Sequence, residues 1–168
     1  FAAFSCLATA PLTTRFGPRV AVALSAGLYI AGAIMVALAN DFSMLLVGRG
    51  TLGIAIGLAS VAVPMLTSEL APPDIRGMVV TLTNMSIVFG QVLAGVANGA
   101  FQETDSGWRW SFGVAAIPAL VQLPGVLCLP ESPRWLSQVG RHAEAEETLR
   151  RIRATADVAA ELADIRAE

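Results

Sequence analysis

Long apolar stretches separated by short polar ones are the dominant pattern along this chain. Four stretches of about twenty residues each contain almost no charged side chain, and a shorter apolar stretch over residues 1–12 precedes them. A helix of about twenty residues crosses the ~30 Å hydrocarbon core of a bilayer, and an open sheet edge would leave backbone groups unpaired there. The pattern therefore predicts four membrane-spanning helices, over residues 20–39, 44–66, 78–101 and 111–129.

The stretch over residues 1–12 is too short to cross a bilayer, and it lacks the basic start and the small-residue cleavage context of a signal peptide. We interpret it as the truncated end of a further span, so we expect the chain to be a fragment of a larger membrane protein. Composition agrees with the membrane class. The chain is 55% hydrophobic and only 14% charged, whereas soluble domains carry about 25% charged residues.

Basic residues are distributed unevenly between the two ends of the predicted spans. All eleven are arginines; nine lie in polar segments on one side, Arg109 lies alone on the other, and Arg49 falls inside a span. Cytoplasmic loops carry the excess of basic residues in membrane proteins, so we predict that the segment over residues 130–168 is cytoplasmic. The nine arginines are Arg15, Arg19, Arg76, Arg134, Arg141, Arg150, Arg151, Arg153 and Arg166.

The predicted cytoplasmic segment has the pattern of two amphipathic helices. Glu146 and Arg150, and likewise Glu147 and Arg151, are four residues apart, which places each pair side by side on a helix surface. Apolar residues follow at helical spacing on another face. They are Ala145, Leu149 and Ile152 in the first helix, and Val158, Leu162 and Ile165 in a second helix that begins near Asp157.

Residues suited to catalysis or metal binding are sparse. Cys6 and Cys128 lie in apolar stretches, which favours free thiols, and His142 has no metal-ligand or base partner near it in the tail. We find no nucleophile–base pair, no metal-ligand cluster and no phosphate-binding loop, so we expect no enzymatic activity, no cofactor and no metal. The formal net charge of −2 carries no information about nucleic acid, but the sequence has no basic run, so we expect no nucleic-acid partner.

Three amide side chains recur every seven residues in the predicted span 78–101, namely Asn84, Gln91 and Asn98. This spacing places them on one helix face. A polar stripe is costly against lipid, but in a wet cavity it can hydrogen-bond the hydroxyl groups of a polyol. Hydrogen bonding between helices is the alternative role, and it is equally open for Asn84 and Asn98.

Three motifs follow one another at the predicted span ends: LVGRGTLG (46–53), VPMLTSELAPPDIRG (63–77) and PESPRWL (130–136). Together they resemble the sugar porter family of the major facilitator superfamily, whose patterns are G-R-x-x-x-G, P-x-Y-x-x-E-x-x-P-x-x-x-R-G and P-E-S-P-R-W/F-L. All seven residues of the last pattern match. The matches to the middle pattern are Pro64, Glu69, Pro72, Arg76 and Gly77, whereas Leu66 replaces the usual Tyr.

The resemblance covers essentially the whole chain and implies an all-α membrane protein. The family has twelve spans in two six-span halves, so the chain would run from the end of helix 2 to helix 6 and into the intracellular helices. One loop departs from the family pattern G-x-x-x-D-R-x-G-R-R/K. The chain keeps Arg15, Gly17 and Arg19, but has Ala10, Thr14 and Pro18 where the family has Gly, Asp and Arg.

Within the family, the stretch GQVLAGVANGAF and the later GWRWSFGVAAIPALVQ are most similar to proton-coupled myo-inositol cotransporters. The resemblance implies a secondary active transporter of myo-inositol or a related sugar. Its partners would be a small polyol or sugar, protons and the lipid bilayer, in the plasma membrane. Two alternatives stay open: a facilitative or proton-coupled hexose or pentose transporter, and a transporter-like nutrient sensor.

Site roles also follow from the resemblance. Gln91 matches a glutamine that contacts sugar, and Arg49 matches an arginine that pairs with an acidic residue of helix 1 in symporters; snorkelling to the outer interface is the other account of Arg49. At the cytoplasmic side, Pro130 and Pro133 are expected to stop the last span and turn the chain. We predict that the charges there form a latch holding the outward-facing state. They are Arg15, Arg19, Glu69, Arg76, Glu131 and Arg134.

Overall fold

A computed structural model describes residues 2–102 and 107–153, and the regular structure within these ranges is helical. The all-α prediction is therefore confirmed. A short 3₁₀ turn, Pro73–Ile75, joins the third and fourth helices. The tail helix predicted near Asp157, and Arg166, lie outside the described residues. The helices are α1 (Ala2–Phe16), α2 (Pro18–Ala37), α3 (Phe42–Leu70), α4 (Arg76–Phe101), α5 (Gly107–Cys128), α6 (Pro133–Gln138) and α7 (His142–Arg153).

Helices α2 to α5 are long and apolar enough to cross a membrane, in agreement with the four predicted spans. Each of these helices begins before the predicted span, whereas α2 ends at Ala37, before residue 39. Helix α3 continues to Leu70 rather than ending at residue 66, and within this last part the Thr67 hydroxyl donates to the Val63 carbonyl at 2.9 Å.

Small side chains bring α2 into close contact with its neighbours. One end of α2 buries Ala21 and Val22 against α3 and against Val126 of α5. The other end of α2 buries Ala33 and Val36 against the same two helices, α3 and α5. Membrane helices pack through small residues because these let the backbones approach each other. Helix α2 is thus the central element that holds α3 and α5 together.

Gly48 marks the closest approach of α3 to α2. A Cβ atom at this position would lie 2.7 Å from Val36 Cγ2 and 3.2 Å from the Val36 backbone nitrogen. Gly32 on α2 faces α3 in a similar way, since a Cβ there would lie 3.1 Å from the Leu52 backbone nitrogen. The crossing of the two helices therefore depends on a glycine from each side.

Helices α6 and α7 form a small separate cluster beyond the last span. Leu136 of α6 packs with Ala145 and Leu149 of α7, and all three are buried. This confirms the predicted apolar stripe of the first tail helix, with Ile152 half-buried at its end.

The ion pairs on α7 agree only partly with the prediction. The Arg150–Glu146 pair forms at 2.6 Å. Within the described residues, Glu147 and Arg151 form no ion pair, and Arg151 lines a cavity next to α2. Arg141 pairs with Glu144, and this hydrogen-bonded carboxylate raises the pKa of Arg141.

The Gly48–Val36 contact predicts a stability effect in the full-length protein that contains this chain. Gly48→Ala is expected to lower the unfolding temperature in detergent, since overpacking costs about 1–3 kcal/mol. Gly27→Ala is the matched control, because a Cβ on Gly27 of α2 meets no atom within 4 Å. Equal unfolding temperatures for the two variants would show that α2 and α3 are not packed as described.

Candidate functional site

The amide side chains of α4 form an exposed row. The helix is unbroken from Arg76 to Phe101, so Asn84, Gln91 and Asn98 lie within about 40° of one another around its axis. All three are exposed, and α4 buries no side chain in the described structure. The row offers hydrogen-bond donors and acceptors along one face of a helix of bilayer length.

One of these amides lines a cavity. A space of about 660 Å³ lies between the end of α4 and the start of α5, and Asn98, Trp108 and Ser111 contribute to its lining. Gln91 lies two turns earlier on α4 and does not line it. Asn84 lies earlier still. The structure therefore brings Asn98 near polar and aromatic groups of α5, and leaves Gln91 and Asn84 on an open surface.

Arg49 lies on the side of α3 that approaches α5. Its guanidinium carbon is 5.5 Å from the centroid of the Phe112 ring, which is the geometry of a cation–π contact. The side chain is otherwise exposed. Sequence spacing offered no signal for this contact, because Phe112 belongs to a different predicted span.

Glu131 lies at the N-terminal end of α2. Its carboxylate accepts hydrogen bonds from the backbone N–H groups of Arg19, at 3.1 Å, and Ser132, at 3.4 Å. The first N–H groups of a helix lack partners inside the helix, and the helix dipole favours an anion there. Gly17 makes room for the carboxylate: it adopts a φ of 89°, and a Cβ on it would lie 2.9 Å from the Glu131 carboxyl carbon.

Arg19 makes the reciprocal contact from α2 to the end of α5. Its Nε atom donates to the Val126 carbonyl at 3.3 Å, and a terminal guanidinium nitrogen donates to the Leu127 carbonyl. These carbonyls lie in the last turn of α5, where the dipole favours a cation. Arg19 and Glu131 thus tie two antiparallel helices together through backbone groups rather than through an ion pair with each other.

Glu69 joins the same region from the end of α3. Its carboxylate accepts a hydrogen bond from the Ser132 side chain, with Arg134 and Glu131 nearby. Its Oε2 atom is buried and has no hydrogen-bond partner among the described residues. Four of the six charges predicted to form a cytoplasmic network therefore meet, namely Arg19, Glu69, Glu131 and Arg134.

The other two predicted members do not join this cluster. Arg15 and Arg76 are exposed, and neither forms an ion pair within the part of the chain that the structure describes. Arg15 is at the end of α1 and Arg76 is the first residue of α4. Both are thus left at the bundle surface.

Pro133 has a different role from the one predicted. It does not stop a helix; it is the first residue of α6, and the Ser132 hydroxyl accepts a hydrogen bond from the Trp135 N–H at 3.2 Å as the helix cap. Serine followed by proline is a helix-start signal. Pro130, in contrast, follows the end of α5 as expected. The indole Nε1 of Trp135 donates to the Thr14 carbonyl at 3.0 Å, which fastens α6 to α1.

Arg109 holds the opposite end of α2. Its guanidinium donates to the Ala39 carbonyl at 2.8 Å, just beyond the helix, and lies 5.0 Å from the centroid of the Trp108 ring. The sequence identified Arg109 only as a marker of orientation. Helices α2 and α5 are therefore joined at both ends by an arginine from the first turns of the partner helix.

A helical bundle with four helices of bilayer length, and an amide row along one of them, defines a multi-pass membrane protein. The family model described as "Sugar (and other) transporter" matches residues 2–168. The chain belongs to this family, which confirms the resemblance found in the motifs.

Individual relatives agree with the family. The chain is 44% identical over 153 residues to the human "Proton myo-inositol cotransporter", covering 90% of this chain and 24% of that protein. It is 42% identical over 148 residues to "Probable inositol transporter 2" of Arabidopsis thaliana, covering 88% of this chain and 26% of the relative. The chain thus spans about a quarter of the length of these relatives, as expected of a fragment.

A solved structure has the same arrangement of helices. The major facilitator superfamily proton:xylose symporter XylE, bound to 6-bromo-6-deoxy-D-glucose, matches with a TM-score of 0.88 at 29% identity. The match covers 99% of this chain and 41% of that one. The fold class is therefore confirmed as a part of a major facilitator bundle.

Proposed function

We propose that the protein containing this chain is a secondary active transporter that moves myo-inositol or a related sugar together with protons. Alternating access between two halves of the bundle is the mechanism, as in other inverted-repeat transporters. The amide row on α4 is the observation that carries the proposal, because it places hydroxyl-binding groups on a bilayer-length helix of a sugar transporter chain. Similarity to a named proton myo-inositol cotransporter supports the substrate class.

The excess of arginine at one set of helix ends supports the orientation. Helices α6 and α7 lie on the cytoplasmic side, with the ends of α1, α3 and α5, and Arg109 lies at the opposite face. The plasma membrane is the proposed location. Transport of a hexose or pentose is the second candidate, and the fold likeness to a structure described as a proton:xylose symporter favours it.

Uptake into proteoliposomes tests the function directly. The full-length protein should accumulate labelled myo-inositol when the outside is more acidic than the inside, and collapse of the proton gradient should abolish the accumulation. Labelled xylose and labelled glucose are tested in parallel assays under the same gradient. Accumulation of xylose or glucose but not myo-inositol would select the second candidate, and uptake without any proton dependence would contradict symport.

Gln91 is the proposed principal substrate contact, with Asn84 and Asn98 as further contacts along the row. Gln91→Ala is expected to raise the apparent KM for uptake about two- to ten-fold, which corresponds to the ~0.5–1.5 kcal/mol of one hydrogen bond. The amount of the variant protein in the membrane should equal that of wild type, because Gln91 is exposed in the described structure. Gln122→Ala, an exposed amide on α5, is the control; equal KM values for the two variants would remove Gln91 from the site.

Arg49 is the proposed partner of a protonatable carboxylate supplied by another helix of the full protein. Its exposed guanidinium next to Phe112 supports this role, since it is available for a further contact. Arg49→Leu is expected to abolish proton-driven accumulation while sparing exchange of substrate across the membrane. Arg49→Lys, which keeps the charge, should retain part of the coupling. If accumulation persists in Arg49→Leu, the arginine is not part of the coupling.

The cytoplasmic charges are proposed to act in two groups. Glu131, Arg19, Glu69 and Arg134 meet within this half, so they move with it as a rigid body when the halves rock. They hold the half together and cannot by themselves distinguish outward-facing from inward-facing states. Arg15 and Arg76 remain exposed, and we propose that they contact the other half as the latch of the outward-facing state.

This division is tested by comparing two charge removals in the full-length protein. Arg76→Gln is expected to increase labelling of inner-cavity cysteines from the cytoplasmic side, and to lower the transport rate more than substrate affinity. Glu131→Gln is expected to lower the unfolding temperature with little change in labelling. Gly17→Ala should resemble Glu131→Gln, because its Cβ displaces the same carboxylate. The proposal would be contradicted if Glu131→Gln increased the labelling while Arg76→Gln lowered the unfolding temperature and left the labelling unchanged.

A further inference from the structure

A second cavity lies between the N-terminal end of α2 and helix α7. It is next to the charged cluster of Arg19, Glu69, Glu131 and Arg134. Its volume is about 480 Å³. Three arginines and two glutamates contribute to the lining, so these side chains give the cavity one net positive charge at neutral pH. The five are Arg19, Arg141, Arg151, Glu131 and Glu144.

Four of these five charges are already engaged. Arg19 and Glu131 bind backbone groups of α5 and α2, and Arg141 forms its ion pair with Glu144. Arg151 is exposed, and it makes no hydrogen bond or ion pair with any residue that the structure describes. Among the described residues that line the cavity, Arg151 is thus the arginine whose five donors are available to a ligand.

The side of the cavity next to α2 is apolar and continues along the helix surface. Phe16 and Val20 line it and are 53% and 46% exposed. Leu24 follows one turn later on the same face and is 45% exposed. Because α2 is a bilayer-length helix, an exposed apolar face of this kind is compatible with contact to acyl chains. Trp135 also lines the cavity, and tryptophan is enriched at headgroup depth.

We propose that this cavity binds an anionic phospholipid of the cytoplasmic leaflet. Its phosphodiester group is held by Arg151, with Arg141 nearby, and one acyl chain lies along Phe16, Val20 and Leu24. An anionic lipid such as phosphatidylglycerol has a net charge of −1, which matches the one net positive charge of the lining, whereas the choline cation makes phosphatidylcholine neutral. Guanidinium binds phosphate oxygens with good geometry. A soluble anion would gain nothing from the apolar stripe. The inference rests on the proposed membrane placement of α6 and α7, but not on the transported substrate.

Native mass spectrometry of the full-length protein in detergent tests the site, with added phosphatidylglycerol or phosphatidylcholine as the probe. Wild type is expected to retain phosphatidylglycerol in preference to phosphatidylcholine. Arg151→Ala should weaken that retention about five-fold, the contribution of one basic residue near an anionic lipid. Arg151→Lys should restore most of it. Equal retention of the two lipids by wild type would overturn the proposal.

Arg150→Ala is the matched control, because Arg150 is the adjacent arginine on α7, pairs with Glu146, and does not line the cavity. It changes the net charge by the same amount, so it should keep wild-type retention. A loss equal to that of Arg151→Ala would indicate non-specific attraction and overturn the site. Full displacement of the lipid by millimolar inorganic phosphate would indicate a soluble-anion site and would also overturn it.

A measurement without an arginine variant covers the case in which Arg151→Ala fails to fold. In nanodiscs that contain brominated phosphatidylglycerol, the fluorescence of wild type should be quenched more than in brominated phosphatidylcholine. The difference should disappear in Trp135→Phe. Equal quenching by both lipids would overturn the proposal. Uptake of myo-inositol is measured separately, so a protein that retains the lipid but transports nothing would contradict only the proposed function.

Discussion

Backbone carbonyl groups at helix ends are the constraint on which the arrangement of this bundle depends. The last carbonyls of a helix have no partner within it, and leaving one buried and unsatisfied costs about 1–3 kcal/mol. In four helices of the described structure, a side chain from a distant segment donates to a carbonyl at or just beyond the helix end. Trp135 donates to the end of α1, Arg109 to the end of α2, Arg153 to the end of α3 and Arg19 to the end of α5.

A proline explains why one of these donors is needed. The Thr14 carbonyl would ordinarily accept from the N–H four residues later, but that residue is Pro18, which has none. Trp135 takes its place. The Val126 carbonyl also lies four residues before a proline, Pro130, but it accepts a hydrogen bond from the Leu129 N–H at 3.2 Å, and Arg19 adds a second donor. Trp135 therefore substitutes for an N–H group that the chain itself lacks, which links PESPRWL to the end of α1.

The sequence predicted the helical class, the four spans and the apolar stripe of α7, because hydrophobic periodicity depends only on local spacing. Its prediction of opposite charges converging at one face placed Glu131 and Glu69 in the right region. The sequence did not identify the groups that donate hydrogen bonds to these two carboxylates. Arg19 binds carbonyls more than a hundred residues away, and Ser132 caps a new helix that begins at Pro133, which was expected only to stop the last span. Such contacts depend on the packing of α2 against α5, which no local pattern contains.

Helix α4 stands apart from this network of tied helix ends. It buries no side chain in the described structure, whereas α2 is closely packed against both neighbours. The same helix carries the amide row. Among the described helices, α4 therefore contributes little to packing, which leaves Asn84, Gln91 and Asn98 available for other contacts. If the amide row contacts substrate as proposed, stability and substrate contact are assigned to different helices: α1, α2, α3 and α5 form the tied frame, and α4 carries the row.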